Sequence, residues 1–142
     1  MNQQAFIIHH GQHLTDPSFE PQQMQDVWFS DSHSPLATRA KALSQDGTPA
    51  LALLEYEGDV LKFWAFEQGV LTIEYDSSPS FATCTITPPS GTNLEHLAAL
   101  FGVPEQSKAV VQLLGRKRGL GFINERDRLR QLLGLLEIAG VS

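Results

Sequence analysis

Three short apolar runs separated by tight turns occupy the middle of the chain. The runs cover residues 50–57, 60–67 and 70–76. Gly58 and Asp59 fill the first gap, and Gln68 and Gly69 fill the second. Two-residue loops that contain glycine favour the turns that join antiparallel strands. The pattern therefore predicts a β-meander of three strands.

The two turns also predict how the strands pair. With these loops, Trp64 lies opposite Leu53 on one side and opposite Ile73 on the other, and Lys62 lies opposite Glu55. The two pairings agree and place one set of apolar residues on a single face, which is the predicted core. This set consists of Leu51, Leu53, Trp64, Phe66, Leu71 and Ile73.

The opposite face of the predicted meander is half apolar. The outer face of a one-sided antiparallel sheet is normally polar, so we expect something to cover this one. Residues 1–45 could cover it, or it could be an interaction surface for a second copy or another protein. The residues of this predicted interaction surface are Leu54, Tyr56, Leu61 and Phe63.

The segments before and after the meander predict further strands and helices. Residues 5–10 form a predicted strand, and Ser34 followed by Pro35 is a typical helix start. A fourth strand is predicted over residues 81–87. Thr92 and Glu95 have the spacing of a capping box before a helix that ends at Gly102.

Two more helices are predicted over residues 105–114 and 124–139, the last with a leucine stripe at positions 129, 132, 133 and 136. Strands followed by helices, without alternation, indicate an α+β fold. We expect an antiparallel β-meander of about four to five strands, helices packed on one face, and three helices in the C-terminal third.

The composition is that of a globular chain. Of 142 residues, 42% are hydrophobic and 18% are charged, and no apolar run approaches the roughly 20 residues of a membrane helix. The length predicts a single domain over residues 1–142. Cys84 is the only cysteine, and the first residues lack the pattern of a signal peptide. We therefore expect a cytoplasmic protein with no membrane partner.

Charge is divided unevenly along the chain. The net charge of −6 argues against nucleic-acid binding. Residues 1–103 contain 3 Lys/Arg and 12 Asp/Glu, a balance of −9, whereas residues 104–142 contain 7 and 4, a balance of +3. Arg116, Lys117 and Arg118 lie in a glycine-rich loop, where they could contact an anion or simply connect two helices.

Residue types that support catalysis are present, but their spacing does not form a recognised set. His9, His10 and His13 are the best metal-ligand candidates by residue type. Neighbouring strand residues point to opposite faces, however, and no cysteine or carboxylate is close in sequence. Cys84 is predicted to be a packed side chain, and Ser77 to form a turn. No catalytic residue, metal site or cofactor is therefore predicted.

Several segments resemble a scattered family of small, uncharacterised bacterial proteins. The family pattern is a D-x-x-x-[FW] strand, a glycine turn, Y-x-S-x-P-x-F, an LAALFG-like helix and a leucine-rich terminal helix. The matching positions are Asp59, Phe63, Trp64, Gly69, Tyr75, Asp76, Ser77, Ser78, Pro79, Phe81, residues 93–102, Phe122, Glu125, Arg126 and Leu129. The resemblance covers residues 50–139 and implies a bacterial origin and this fold, but no catalytic residue.

These observations favour a non-enzymatic protein-interaction module that could associate with itself. The uncovered apolar face and the uneven charge motivate this hypothesis. The alternative is a small-ligand binder or enzyme with a pocket between the N-terminal segment and the sheet. Trp28, Trp64 and Tyr75 are the candidate lining residues of that pocket, although aromatic side chains serve equally in a core.

Overall fold

A computed structural model describes residues 3–79, 88–116 and 124–138 of the chain. They form one antiparallel sheet of six strands in the order β2-β1-β3-β4-β5-β6. The predicted α+β class and the three-stranded meander are confirmed. The strands are β1 (Gln3–His9), β2 (Gln12–Leu14), β3 (Ala50–Tyr56), β4 (Val60–Glu67), β5 (Val70–Asp76) and β6 (Ser90–Thr92).

Five α-helices in the described ranges accompany the sheet. They are α1 (Met24–Trp28), α2 (Pro35–Leu43), α3 (Leu97–Leu100), α4 (Ser107–Leu114) and α5 (Glu125–Leu135). Ser34 caps α2 as predicted, because its hydroxyl accepts a hydrogen bond from the amide of Ala37 at 3.2 Å. In the described ranges, no helix has both the length and the apolar character needed to cross a bilayer.

Of two predictions about the region around α3, one is confirmed and the other is wrong. The three helices of the C-terminal third are present. The capping box at Thr92 is not, because Thr92 ends β6 and the left-handed residue Asn93 (φ 55°) precedes a 3₁₀ turn over Leu94–His96. The fourth strand predicted over residues 81–87 lies outside the described residues.

The predicted pairing of β3 with β4 is wrong by one residue. Tyr56 pairs with Val60, so the loop contains three residues rather than two. Its tight turn is centred on Glu57 and Gly58, which both have a positive φ (57° and 74°), and the amide of Asp59 donates to Tyr56 O at 2.9 Å. Leu53 therefore faces Phe63 instead of Trp64. A shift of one residue exchanges the two faces of a strand.

A β-bulge alters the pairing of β4 with β5. Phe66 lies opposite Leu71 as predicted, but the register shifts between Ala65 and Phe66. Beyond the shift, Trp64 lies opposite Glu74, where Ile73 was predicted. An extra residue in one strand redirects the side chains that follow it.

Helices cover both faces of the sheet, which corrects the expectation of helices on one face. The C-terminal helices bury one face, whose central members are Leu51, Leu53, Leu61, Phe63, Ala65, Ile73 and Tyr75. Helix α2 covers the other face over β1, β3 and β4, where Ala50, Ala52, Leu54, Trp64 and Phe66 are buried. The predicted core face therefore mixed residues from two separate cores, and it included Leu71, which is exposed.

The four residues expected to form an interaction surface are all buried and do not share a face. Leu54 packs with α2, and Tyr56 packs with Val27 of α1. Leu61 and Phe63 belong to the core under the C-terminal helices. Their exposed fractions are 2%, 8%, 0% and 0%, so this surface is closed within the chain. The interpretation that residues 1–45 cover the face is correct for Leu54 and Tyr56.

Candidate functional site

Helix α2 covers only part of one face of the sheet, and the uncovered part contains a polar cleft. Helix α2 packs on β1, β3 and β4, while β5 and β6 extend beyond it. The cleft has a volume of about 380 Å³ and lies between the segment after α1 and strands β4, β5 and β6. Its polar lining consists of Ser30, Asp31, Lys62, Glu74, Asp76, Ser90 and Thr92.

Strand pairing brings the polar residues of the cleft onto one face. Lys62 lies opposite Asp76, and Asp76 lies opposite Ser90. In the next row of the ladder, Glu74 lies between Trp64 and Thr92. Directly opposite residues of an antiparallel pair project to the same side. The bulge in β4–β5 therefore places two carboxylates next to the one lysine of β4.

Lys62 forms hydrogen bonds to the end of α1 and the segment after it, and so holds them over this face. Its Nζ donates to the carbonyl oxygens of Trp28 at 3.2 Å and Ser30 at 3.1 Å, and it lies 3.9 Å from Asp76 Oδ2. Burial lowers the pKa of Lys62 below its usual 10.5, while the charges of Asp76, Asp31 and Glu74 act in the opposite direction. Lys62 is the only cation among the described residues that line the cleft, and its ammonium group is already hydrogen-bonded to these two carbonyls.

The carboxylates are held by different contacts. The indole Nε1 of Trp64 donates to Glu74 Oε2 at 3.2 Å, and the amide of Ser78 donates to Asp76 Oδ1 at 2.9 Å. Asp76 is half-buried, whereas Glu74 and Asp31 are exposed. Three carboxylates and one ammonium group therefore give the cleft an excess of negative charge. Such a cleft suits a ligand that supplies the missing positive charge.

A larger cavity of about 540 Å³ lies beside α1 and the start of α2. It is lined by Phe19, Phe29 and Leu36 among others, and its acidic residues, Glu20, Asp26 and Asp31, are exposed. No buried charged group lines it in the described chain. The smaller cleft is the better candidate, because a buried lysine with a lowered pKa and several charge partners marks functional sites more specifically than volume does.

The pocket predicted between the N-terminal segment and the sheet corresponds to this cleft only in part. Trp64 and Tyr75 line it, but Trp28 contributes its carbonyl to Lys62. Asp31 was not singled out in the sequence, and the predicted register placed Glu74 away from Trp64, which it faces in the structure. One signal in the sequence could have found the cleft. Lys62 stands alone as a charge inside an apolar strand, and a lysine in that setting is rarely buried without a partner.

The other sequence candidates lie elsewhere. Glu55 does not face Lys62; it is buried and lies 3.6 Å from Arg126 Nε. Ser77 has a structural role, since its hydroxyl accepts from the amide of Leu61 at 2.9 Å. The exposed Arg116 follows α4, whereas Lys117, Arg118 and Cys84 lie outside the described residues.

No family model, curated protein or solved structure matches this chain. The resemblance to small bacterial proteins stays a prediction.

Proposed function

We propose that the chain is a non-enzymatic module that binds a small, positively charged polar molecule in the cleft over β4–β6. The observation that carries this proposal is the surplus of carboxylates. Asp31, Glu74 and Asp76 surround a cleft whose lysine already donates to two backbone carbonyls. An ammonium or guanidinium group would compensate the remaining charge through charge-assisted hydrogen bonds.

The size and the lining of the cleft define the ligand further. A volume of about 380 Å³ falls at the lower end of the range of small-molecule sites, roughly 300–1,000 Å³. The hydroxyl groups of Ser90 and Thr92 add donors and acceptors along one wall. The balance of −9 over residues 1–103 would also attract a cation before it reaches the cleft.

Binding rather than catalysis is proposed because of the state of Lys62. A catalytic lysine needs a free amine that can approach the substrate. Here Nζ is buried against the carbonyls of Trp28 and Ser30. Lys62 therefore positions the wall of the cleft and does not act as a nucleophile.

Isothermal titration calorimetry with agmatine and spermidine, and with citrate as an anionic control, tests this proposal. We expect the cationic compounds to bind and citrate not to bind. Glu74→Gln removes one charge with little change in shape, so affinity should fall about tenfold or more, as for the loss of one charge-assisted hydrogen bond. Asp127→Asn changes an exposed carboxylate of α5 outside the cleft and should leave affinity unchanged.

Two results would overturn the proposal. One is the absence of binding by either cation at millimolar concentration. The other is an equal loss of affinity in Glu74→Gln and Asp127→Asn, because non-specific attraction to an acidic protein would explain both.

Protein interaction, including self-association, is a second proposal on a different surface. Phe29 is 76% exposed and lines the cavity next to α1, and aromatic side chains are enriched in protein interfaces. Sedimentation velocity at rising concentration should show association that Phe29→Ser reduces and Val111→Ser, another exposed apolar residue, does not. A monomer at all concentrations would exclude the self-association form.

A further inference from the structure

Two turns meet at one end of the sheet. His9 is the last residue of β1 and pairs with Ala50, the first residue of β3. Asp46 ends the 3₁₀ turn over Ser44–Asp46 that leads towards β3. Because β1 and β3 are antiparallel neighbours, the end of one strand lies beside the start of the other. The fold thus places the carboxylate of Asp46 beside the histidines, although Asp46 lies 36 residues after His10 in the sequence.

Both imidazole rings reach this carboxylate. His9 Nε2 lies 3.2 Å from Asp46 Oδ1, and His10 Nε2 lies 2.7 Å from Asp46 Oδ2. The ring centroids are 4.2 Å apart, with an angle of 68° between the planes. One ligand atom from each residue lies within 4.8 Å of the other two. His13 is separate, since its ring stacks on Phe6.

The backbone of His10 explains why adjacent histidines converge. Consecutive residues of a regular strand point to opposite faces. His10 and Gly11 instead form the two-residue turn between β1 and β2, with φ values of 53° and 70°. Asn, Asp and Gly are the usual residues at the first position of this turn. Histidine is also enriched among residues in the left-handed conformation, so His10 fits this turn, and its ring contacts Asp46.

We propose that His9, His10 and Asp46 bind one divalent transition-metal ion of the Zn²⁺ class. Two imidazole nitrogens with one carboxylate oxygen suit Zn²⁺, Co²⁺ or Ni²⁺ better than Mg²⁺ or Ca²⁺, which prefer oxygen ligands alone. Tetrahedral ligands about 2.1 Å from Zn²⁺ lie about 3.4 Å apart. The 3.2 Å separation of His9 and Asp46 is already close to that value, and His10 and Asp46 are exposed enough to widen theirs.

The surroundings support a site that is oriented and open. The amide of Thr48 donates to Asp46 Oδ1 at 2.8 Å, which fixes the carboxylate as an outer-shell partner would. His9, His10, Thr48 and Phe101 also line a cavity of about 450 Å³. Three protein ligands leave one tetrahedral position for water or a small anionic ligand. The cavity provides space for such a group.

Calorimetric titration of the tag-free full-length chain with ZnCl₂ tests the site, with MgCl₂ as the control ion. We expect one Zn²⁺ per chain and a higher thermal midpoint in Zn²⁺, because the ion binds the folded state. His10→Asn and Asp46→Asn should each lower Zn²⁺ affinity by about tenfold or more, since loss of an outer-shell partner alone costs 10–100-fold. Asparagine tolerates the left-handed conformation at position 10, so the turn should still form.

The chain contains a matched control. His33 lies 3.8 Å from Asp31 and is exposed, so His33→Asn removes a histidine beside a carboxylate without touching the cluster. Its Zn²⁺ affinity should equal that of the wild type. Absence of stoichiometric Zn²⁺ binding would overturn the proposal. So would equal losses in His33→Asn and His10→Asn, or unchanged affinity in Asp46→Asn with a native circular dichroism spectrum.

Discussion

The guanidinium group of Arg128 is fully buried against the carboxylate of Glu125, with Nε 2.6 Å from Oε1. The same guanidinium donates to the carbonyl of Leu113 at 2.6 Å and to the carbonyl of Arg116. Leu113 lies in the last turn of α4 and Arg116 follows the helix, so both carbonyls lie at the C-terminal end of α4. The pair therefore joins the start of α5 to the end of α4.

Arg128→Met should lower the free energy of unfolding by about 3–5 kcal/mol, because it removes the buried charge that pairs with Glu125 and the donors to the carbonyls of Leu113 and Arg116. Adding Glu125→Met should recover part of that loss, since the uncompensated charge is then removed. Urea denaturation measures both effects. Arg130→Met, which breaks an exposed pair with Asp127, should cost less than about 1 kcal/mol. Equal losses in Arg128→Met and Arg130→Met would contradict the role of the buried pair.

Sequence patterns predicted which strands and helices form better than they predicted the pairing register of the strands. The meander follows from apolar runs and glycine turns, and the four leucines of the predicted stripe, at positions 129, 132, 133 and 136, are buried as their spacing predicts. The predicted register is wrong at two places. Glu57 adopts a positive φ and adds one residue to the loop, and a bulge lies beside Phe66. Neither event has a local signature strong enough to outweigh a regular two-residue turn.

Both candidate sites depend on contacts between residues that are far apart in the sequence, and local sequence patterns do not predict such contacts. Lys62 was visible as a lone charge in an apolar strand, but its partners come from the segment after α1 and from β5. His9 and His10 were visible as histidines, but their carboxylate lies at Asp46. Strand order determines which distant turns become neighbours, and this information is not local.

Tyr75→Phe should show a stability loss that depends on pH. The Tyr75 hydroxyl donates to Leu114 O at 2.6 Å, so its removal should cost about 1–2 kcal/mol at pH 7. Burial raises the pKa of Tyr75 well above its usual 10.0. The folded state thus keeps its proton where the unfolded state loses it. The stability that this proton contributes is complete below pH 10 and declines as pH rises above 10.

Urea denaturation of wild type and Tyr75→Phe at pH 7, 9 and 11 measures this dependence. The difference between the two proteins should be constant up to pH 9 and smaller at pH 11. Comparing variants cancels the opposite contribution of Lys62, which both proteins share. A difference that grows above pH 10 would show that Tyr75 ionises more readily in the folded protein.

Gly91 lies in β6 at the edge of the cleft, where there is no room for a larger residue. A β-carbon at this position would lie 2.9 Å from Glu74 O and from the side chain of Leu94. Gly91→Ala should therefore cost about 1–3 kcal/mol, as other overpacked sites do, and displace β6 from β5. If the cleft binds cations, their affinity should fall in the same variant.

Gly134→Ala is the matched glycine control. A β-carbon at Gly134 meets no atom within 4 Å, and this residue is helical in α5. Because alanine favours helix over glycine, the variant should gain about 0.5–1 kcal/mol. Thermal denaturation of both variants gives the comparison. Similar shifts of the same sign would refute the steric account of Gly91.

The pKa of Lys62 should respond to its carboxylate neighbours in a defined direction. Burial lowers this pKa below 10.5, and Asp76 is the largest of the charges that raise it. Asp76→Asn should therefore lower the pKa of Lys62 further, whereas Asp127→Asn should leave it unchanged. Carbon-13 NMR titration of the lysine side chains measures the shift, and a Lys62→Met spectrum assigns the signal.

The same shift has a consequence for stability. Between the lowered pKa of folded Lys62 and the usual 10.5, the unfolded state binds more protons, so this group makes stability rise as pH increases through that window. The rise should be larger in Asp76→Asn, because a further lowering of the pKa widens the window. Urea denaturation from pH 7 to 10 checks this. If Asp76→Asn raises the pKa of Lys62 or flattens the pH profile, Asp76 does not stabilise the charged lysine.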